Sequence, residues 1–299
     1  ATSGPLKAWL TNVGTVRNRQ KLANGTTRWT KTVTTFNADN LPTQVDDLGD
    51  EATASDDRCA RTWYARNGTT WMLNKVKRSE TVGVNCSTTP NLPADMLASS
   101  RVTYDLATNN WDTFLPVRGL AAKTEEIDRW TGSTPIWVTT ARAVYDSNGR
   151  AIETYDALDR KSVNTYIPSV AGPVVTSFTT DPLDRSVTRT MAPAWGLPIT
   201  TVDDANDRRT DVTYDGAGRM LRVWTPGRAK ADFPDSPNVE YSYQLRNTAP
   251  TAVTTKTLMP TGGLMSPISS TITMNMPNQI GSIPSAVMIG NTIGTVSTI

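Results

Sequence analysis

The side chains that could carry out chemistry here are carboxylates, arginines, tryptophans and one cysteine pair, because the 299 residues include no histidine. That absence removes Ser-His-Asp and Cys-His nucleophile pairs and the HExxH zinc helix. Two cysteines, Cys59 and Cys86, cannot form a four-cysteine zinc site, so no metal is expected. No Walker loop and no GxGxxG occurs, so nucleotide binding and cofactors are not expected either. Adjacent carboxylates remain at Asp46–Asp47, Asp56–Asp57, Glu125–Glu126 and Asp203–Asp204. A glycosidase needs two carboxylates facing one another across a cleft, at about 5–9 Å. Neighbours on a strand point to opposite faces, so these read as solvated acids and no catalytic residue is expected.

The elements that must carry these groups are announced by a repeated window. It reads Asp or Asn, two variable residues, a residue tolerant of left-handed backbone, then usually Arg. "DSNGR" fills it at 146–150, "DALDR" at 156–160, "DPLDR" at 181–185, "DANDR" at 204–208 and "DGAGR" at 215–219. Looser copies are "NADNL" at 37–41, "DDLGD" at 46–50 and "PAWGL" at 193–197. First residues step by 9 from 37 to 46, by 10 from 146 to 156, by 12 from 181 to 193, then by 11 twice. Phe36, Tyr145, Tyr155 and Tyr214 each precede a window.

Each window reads as a turn. The leading Asp146, Asp156, Asp181, Asp204 or Asp215 can accept a backbone N–H two residues on. The fourth position, Gly149, Gly196 or Gly218 in some copies and Asn40, Asp159, Asp184 or Asp207 in others, suits positive φ. Between turns, segments such as "RKSVNTY" and "RRTDVTY" alternate Val and Tyr with polar residues, the period of half-buried strands. Together these features predict an all-β chain, a long antiparallel meander of hairpins. "KTEEIDRW", 123–130, is the best short helical candidate.

Thirty Lys plus Arg against 28 Asp plus Glu leave a net charge of +2, which gives no argument for nucleic acid or an anionic membrane. The arginines fall about one per turn, where pairing with the turn Asp or covering a neighbouring aromatic is their expected role. No run approaches the ~18 apolar residues of a membrane span. "ATSGPLKAWL" shows no signal-peptide pattern, and the chain reads as a piece of something longer.

Cys59 and Cys86 bracket 26 residues that read as a hairpin with its turn at Asn67–Gly68. A disulfide is the expectation in a secreted β protein; two buried free thiols are the alternative. Trp9, Trp29, Trp63, Trp71, Trp111, Trp130, Trp137, Trp195 and Trp224 invite a sugar-binding reading, but most lie in alternating segments where cross-strand packing is the commoner use. Residues 257–299 carry no charged side chain and hold five of the nine methionines. Within them, "SSTITMNM", 269–276, alternates like a strand. Such a tail must lie against a surface, pair with other copies or stay disordered. The division expected is therefore 1–256, a repeat β region clearest over 140–256, and 257–299, a tail of separate character.

The Tyr/Phe-Asp-x-x-Gly-Arg unit resembles the YD repeat of the RHS-repeat family. The frame "GLPITTVDDANDRRTDVTYDGAGRMLRVWTPGR", 196–228, with "NVEYSYQLRN", 238–247, is similar to RHS proteins of actinobacterial, polymorphic-toxin type. The resemblance implies a β-sheet that spirals into a hollow, cocoon-like shell around a C-terminal toxin or effector. It also implies a bacterial protein that is secreted or on the cell surface. Its partners would be the rest of the parent polypeptide and the enclosed toxin, with self-association through the tail as a further one. The family's self-cleavage motif, Asp-Pro-x-Gly, is not matched: "DPLDR" has Asp184 where the glycine belongs. The expected function is a non-enzymatic shell segment. An extracellular adhesive or carbohydrate-binding β module is the alternative.

Overall fold

The computed structural model describes residues 11–246, 251–258 and 270–274, the last as backbone only. The chain divides into two compact units, residues 1–208 and 209–299. In the first, the strands in chain order are β1 (Thr15–Lys21), β2 (Thr27–Phe36), β3 (Pro42–Asp50), β4 (Arg58–Asn67) and β5 (Met72–Val82). There follow β6 (Met96–Tyr104), β7 (Ala121–Thr131), β8 (Thr134–Tyr145), β9 (Ala151–Tyr155) and β10 (Lys161–Ile167). The first unit closes with β11 (Thr176–Thr180), β12 (Ser186–Ala192) and β13 (Leu197–Asp203). Each pairs antiparallel with its predecessor, the simplest topology short turns can produce. The second unit holds β14 (Arg208–Tyr214), β15 (Met220–Trp224), β16 (Val239–Gln244), β17 (Thr251–Thr257) and β18 (Ser270–Met274), paired in the same way. Helices are absent among the described residues. The fold is the expected antiparallel meander.

Two expectations about local structure are corrected. Residues 123–130 lie inside β7, because Ile127 and Trp137 pair across β7 and β8 and a strand partner outweighs weak helical periodicity. "DDLGD" at 46–50 is not a turn but the end of β3. There Gly49 (φ +43) accommodates a register slip against Thr30–Thr32 and a close approach of the Asp56 carboxylate. In the hairpin between the cysteines the turn opens at Asn67–Gly68 as expected, with Trp71 (φ +55) as its left-handed residue. Asn67 Oδ1 accepts the N–H groups of Thr69 and Thr70.

Within the first unit the sheet has two unlike faces. Directly opposed residues across β4 to β8 run Thr62, Ser79, Ser100, Glu126, Val138 on one face, with Ala60, Thr81, Ala98 in a parallel row. The other face carries Arg61 opposite Glu80, and the row Trp63, Arg78, Arg101, Glu125. Beside them run Lys123, Arg142 and Tyr155. Alternation thus sets a face of mostly short neutral side chains, with Glu126 among them, against a face of long charged and aromatic ones. Among the described residues the buried apolar side chains are few: Cys59, Ala65, Val82, Tyr104, Ala122 and Trp224. Hydrogen bonds, ion pairs and ring stacking hold this sheet more than a packed core does. Most of segment 257–299 lies outside the described residues, although Ser270–Met274 does pair with β17 as its alternation predicts.

Candidate functional site

The recurrent turn is the site-building unit, and in four copies its geometry is the same. Asp146 Oδ1 accepts the N–H of Asn148 and of Arg150, each at 2.9 Å, while Oδ2 takes the Arg150 Nε–H at 2.6 Å. Asp156, Asp181 and Asp215 repeat this with Leu158 and Arg160, Leu183 and Arg185, and Ala217 and Arg219. Asn37 does the same for Asp39 and Leu41 without the arginine. The fourth residue is left-handed in every window that forms a turn: Asn40, Gly149, Asp159, Asp184, Gly196, Asp207 and Gly218 have φ between 49° and 81°. One leading residue is misassigned. At 204–208 the turn starts on Asp203, which accepts from Asn206 N–H and Nδ2, while Asp204 accepts the Thr188 hydroxyl at 2.9 Å. The second aspartate lies one residue too far along to close that turn.

The tyrosines have a role that sequence alone did not reveal. The hydroxyl of Tyr64 donates to Pro42 O, Tyr104 to Val76 O, Tyr145 to Ala121 O, Tyr166 to Ala151 O and Tyr243 to Met220 O, at 2.7–2.9 Å. Each reaches back to the preceding strand; Ala151 and Met220 directly follow the turn arginines Arg150 and Arg219. Those guanidiniums lie over the same rings, Arg150 on Tyr166 at 4.9 Å and Arg219 on Tyr243 at 4.7 Å. A tyrosine therefore clamps the preceding turn on its own edge of the sheet.

Along one edge of the first unit these clamps link turn to turn. Asn67 and Thr70 bond Pro116 O, Arg118 bonds Asp146 O and Ser147 O, and Arg150 bonds Pro168 O and Ser169 O. On the opposite edge Arg160 and Arg185 pair only within their own turns and are 61% and 62% exposed, against 16% for Arg150. Asp215→Asn should lower the urea midpoint measurably, because the amide keeps the turn bonds but sets a second donor against clamped Arg219. Asp156→Asn should lower it less, since Arg160 can swing into water. Equal effects of the two would refute the clamp.

The Arg160, Arg185 and Arg219 hydrogen bonds, with the turn N–H groups, hold Asp156, Asp181 and Asp215 below the usual carboxylate range. Burial pushes Asp146 upward, but Arg150 and the same N–H bonds more than offset it. These groups bind protons less readily folded than unfolded. Their stabilisation is therefore complete above the unfolded value of about 4 and is lost as pH falls through the folded values. Urea midpoints should stay level from about pH 8 to 5.5, with no histidine to titrate, and drop by pH 3. A midpoint that rises on acidification would refute this.

Cys59 and Cys86 are joined in a disulfide. The Cys86 N–H donates to Asp46 Oδ1 at 2.8 Å and Asn85 Nδ2 to Asp57 at 3.1 Å, tying the loop between β5 and β6 to β3 and β4. The paired carboxylates accordingly separate. Asp47 receives Gly49 N–H, Asp56 receives Asp50 N–H, and Glu125 and Glu126 point to opposite faces. Glu125 takes a two-point bond from Arg101 (2.9 and 3.1 Å) with Lys123 at 3.3 Å. Burial raises its pKa, but these cations outweigh burial and hold it low. The indoles of Trp29, Trp63, Trp111 and Trp137 face guanidiniums of Arg17, Arg78 and Arg101 at 4.2–5.3 Å. Trp71 and Trp195 are exposed, on separate turns.

No protein-family model matches the sequence, and no curated protein matches it. Among solved structures, the crystal structure of TcdB2-TccC3 is similar at TM-score 0.52 and 14% identity, over 82% of this chain and 17% of that one. TcdB2-TccC3-TEV is similar at TM-score 0.50 and 13% identity, over 78% and 16%. At these identities the likeness establishes the fold: an antiparallel β structure like that of RHS-containing Tc toxin chains. This chain spans less than a fifth of the length of those chains.

Proposed function

We propose that this chain is a non-enzymatic segment of an RHS-type shell, which encloses or delivers a toxin or effector carried elsewhere in a secreted bacterial polypeptide. The observation that carries the reading is the four-fold recurrence of one Asp–Arg turn with its left-handed fourth residue. Such recurrence builds a regular sheet of any length and pairs the aspartate with the arginine in each of the four copies. The likeness in fold to toxin chains many times longer supports a partial array, and the disulfide suits an oxidising compartment. Other segments of the same polypeptide are then its partners. With guanidiniums over Trp29, Trp63, Trp111 and Trp137, and exposed Trp71 and Trp195 on separate turns, the sugar-binding alternative has no specific observation in its favour.

The test is protease protection in the full-length polypeptide. Trypsin should spare the toxin segment while the shell is intact and digest it once the shell is opened with denaturant. Equal digestion in both states would reject enclosure. Loss of a biological effect in Asp156→Asn with the fold preserved would instead indicate a carboxylate enzyme.

A further inference from the structure

We infer that Arg78 and Arg101, side by side on the charged face of the first unit, form a binding site for the carboxylates of an acidic polypeptide segment. The two residues are directly opposed on β5 and β6, a juxtaposition of like charges that costs stability unless an anion lies between them. Neither is fully neutralised by its neighbours. Arg61 and Arg78 share the single carboxylate of Glu80, at 3.2 and 2.8 Å. Arg101 and Lys123 share that of Glu125. Four cations therefore stand against two carboxylates, and the same two-to-one arrangement recurs two strands apart. Arg78 Nε is also buried without a hydrogen-bond partner.

Trp63 lies against Arg78 at 5.0 Å, and Trp111 and Trp137 lie against Arg101 at 5.3 and 4.3 Å. These rings orient the guanidinium forks, a geometry suited to carboxylate oxygens. Each of these rings gives a face to a guanidinium, and the paired forks present charged donors whose match is a carboxylate; a peptide carboxylate is the occupant proposed. The site stands whether or not the array encloses anything.

Calorimetric titration of the full chain with poly-glutamate tests it, with polygalacturonate and sodium sulfate as comparison ligands. Poly-glutamate should bind with an affinity that falls as salt rises. Arg78→Gln should weaken it about tenfold, the scale of one charge-assisted contact, with circular dichroism unchanged. Lys161→Gln, on the same unit but away from the pair, should leave it unaltered. If Arg78→Gln fails to fold, Arg78→Lys supplies the readout: charge without the fork should still weaken binding. Failure of poly-glutamate to bind, equal loss in the Arg78 and Lys161 variants, or equal or tighter binding of polygalacturonate or sulfate would each overturn the proposal.

Discussion

Replacing Trp224 with alanine should destabilise the second unit by roughly 3–5 kcal/mol, the usual cost of emptying a large buried aromatic site. Trp224 is 1% exposed, and buried apolar side chains are few among the described residues, so little else there can take over its packing. Its indole N–H donates to Phe233 O at 2.8 Å, and the Lys230 ammonium lies 5.2 Å from the ring. The ring thereby holds down the 225–238 loop, which is also pinned by Arg228 on Ser236 and Phe233 and by the Asn238 side chain on Thr225 N–H. Two readouts should move together: a lower urea midpoint for the transition of this unit, and faster tryptic cleavage at Arg228 and Lys230. Trp224→Phe should keep part of the packing and lose the indole hydrogen bond, giving an intermediate result. An alanine variant with an unchanged midpoint would show that the loop is not anchored by this ring.

Removing the disulfide has the next largest expected effect. The bond joins residues 27 apart, and on the chain-entropy view closing such a loop stabilises by roughly 3 kcal/mol. Native strain is not needed for that figure, because the constraint acts on the unfolded chain. The folded side adds to it, since Cys59 is fully buried and the Cys86 N–H anchors on Asp46. Reduced protein and the Cys59→Ala/Cys86→Ala variant should therefore unfold at the same, lower urea concentration. Coincident midpoints for oxidised and reduced protein would refute the assignment of stability to this bond.

The two sites differ in how legible they were. The cysteine pair flanks an evident hairpin, so a bond was a natural expectation. Nothing in the pattern around Trp224 set it apart from eight other tryptophans. Its burial depends on the fourteen-residue loop 225–238 folding back over β15, a non-local event. The charged pair is similar. Arg78 and Arg101 lie 23 residues apart, and only the register of β5 against β6 makes them neighbours.

By itself, the sequence determined the strands that flank the recurrent turns, because each of those turns is written in five consecutive residues. Asp Oδ1 closes on N–H groups two and four residues ahead, and a glycine, asparagine or aspartate takes the left-handed backbone. Those interactions need no distant partner, so composition and spacing sufficed to read them. Where two aspartates adjoin, as at Asp203–Asp204, the local code was ambiguous by one residue, and the pairing of Asp204 with Thr188 decided it. Tertiary structure alone decided what the two faces carry. Period-2 alternation says that neighbouring residues diverge, but not whether the side they share with other strands is charged or neutral. That depends on register, which sets Arg61 against Glu80 and Arg101 against Glu125 across separations of 19 and 24 residues. The tyrosine clamps belong to the same class. A hydroxyl that crosses to the neighbouring strand to reach a carbonyl 15–28 residues earlier satisfies a bond that exists only once the sheet is assembled.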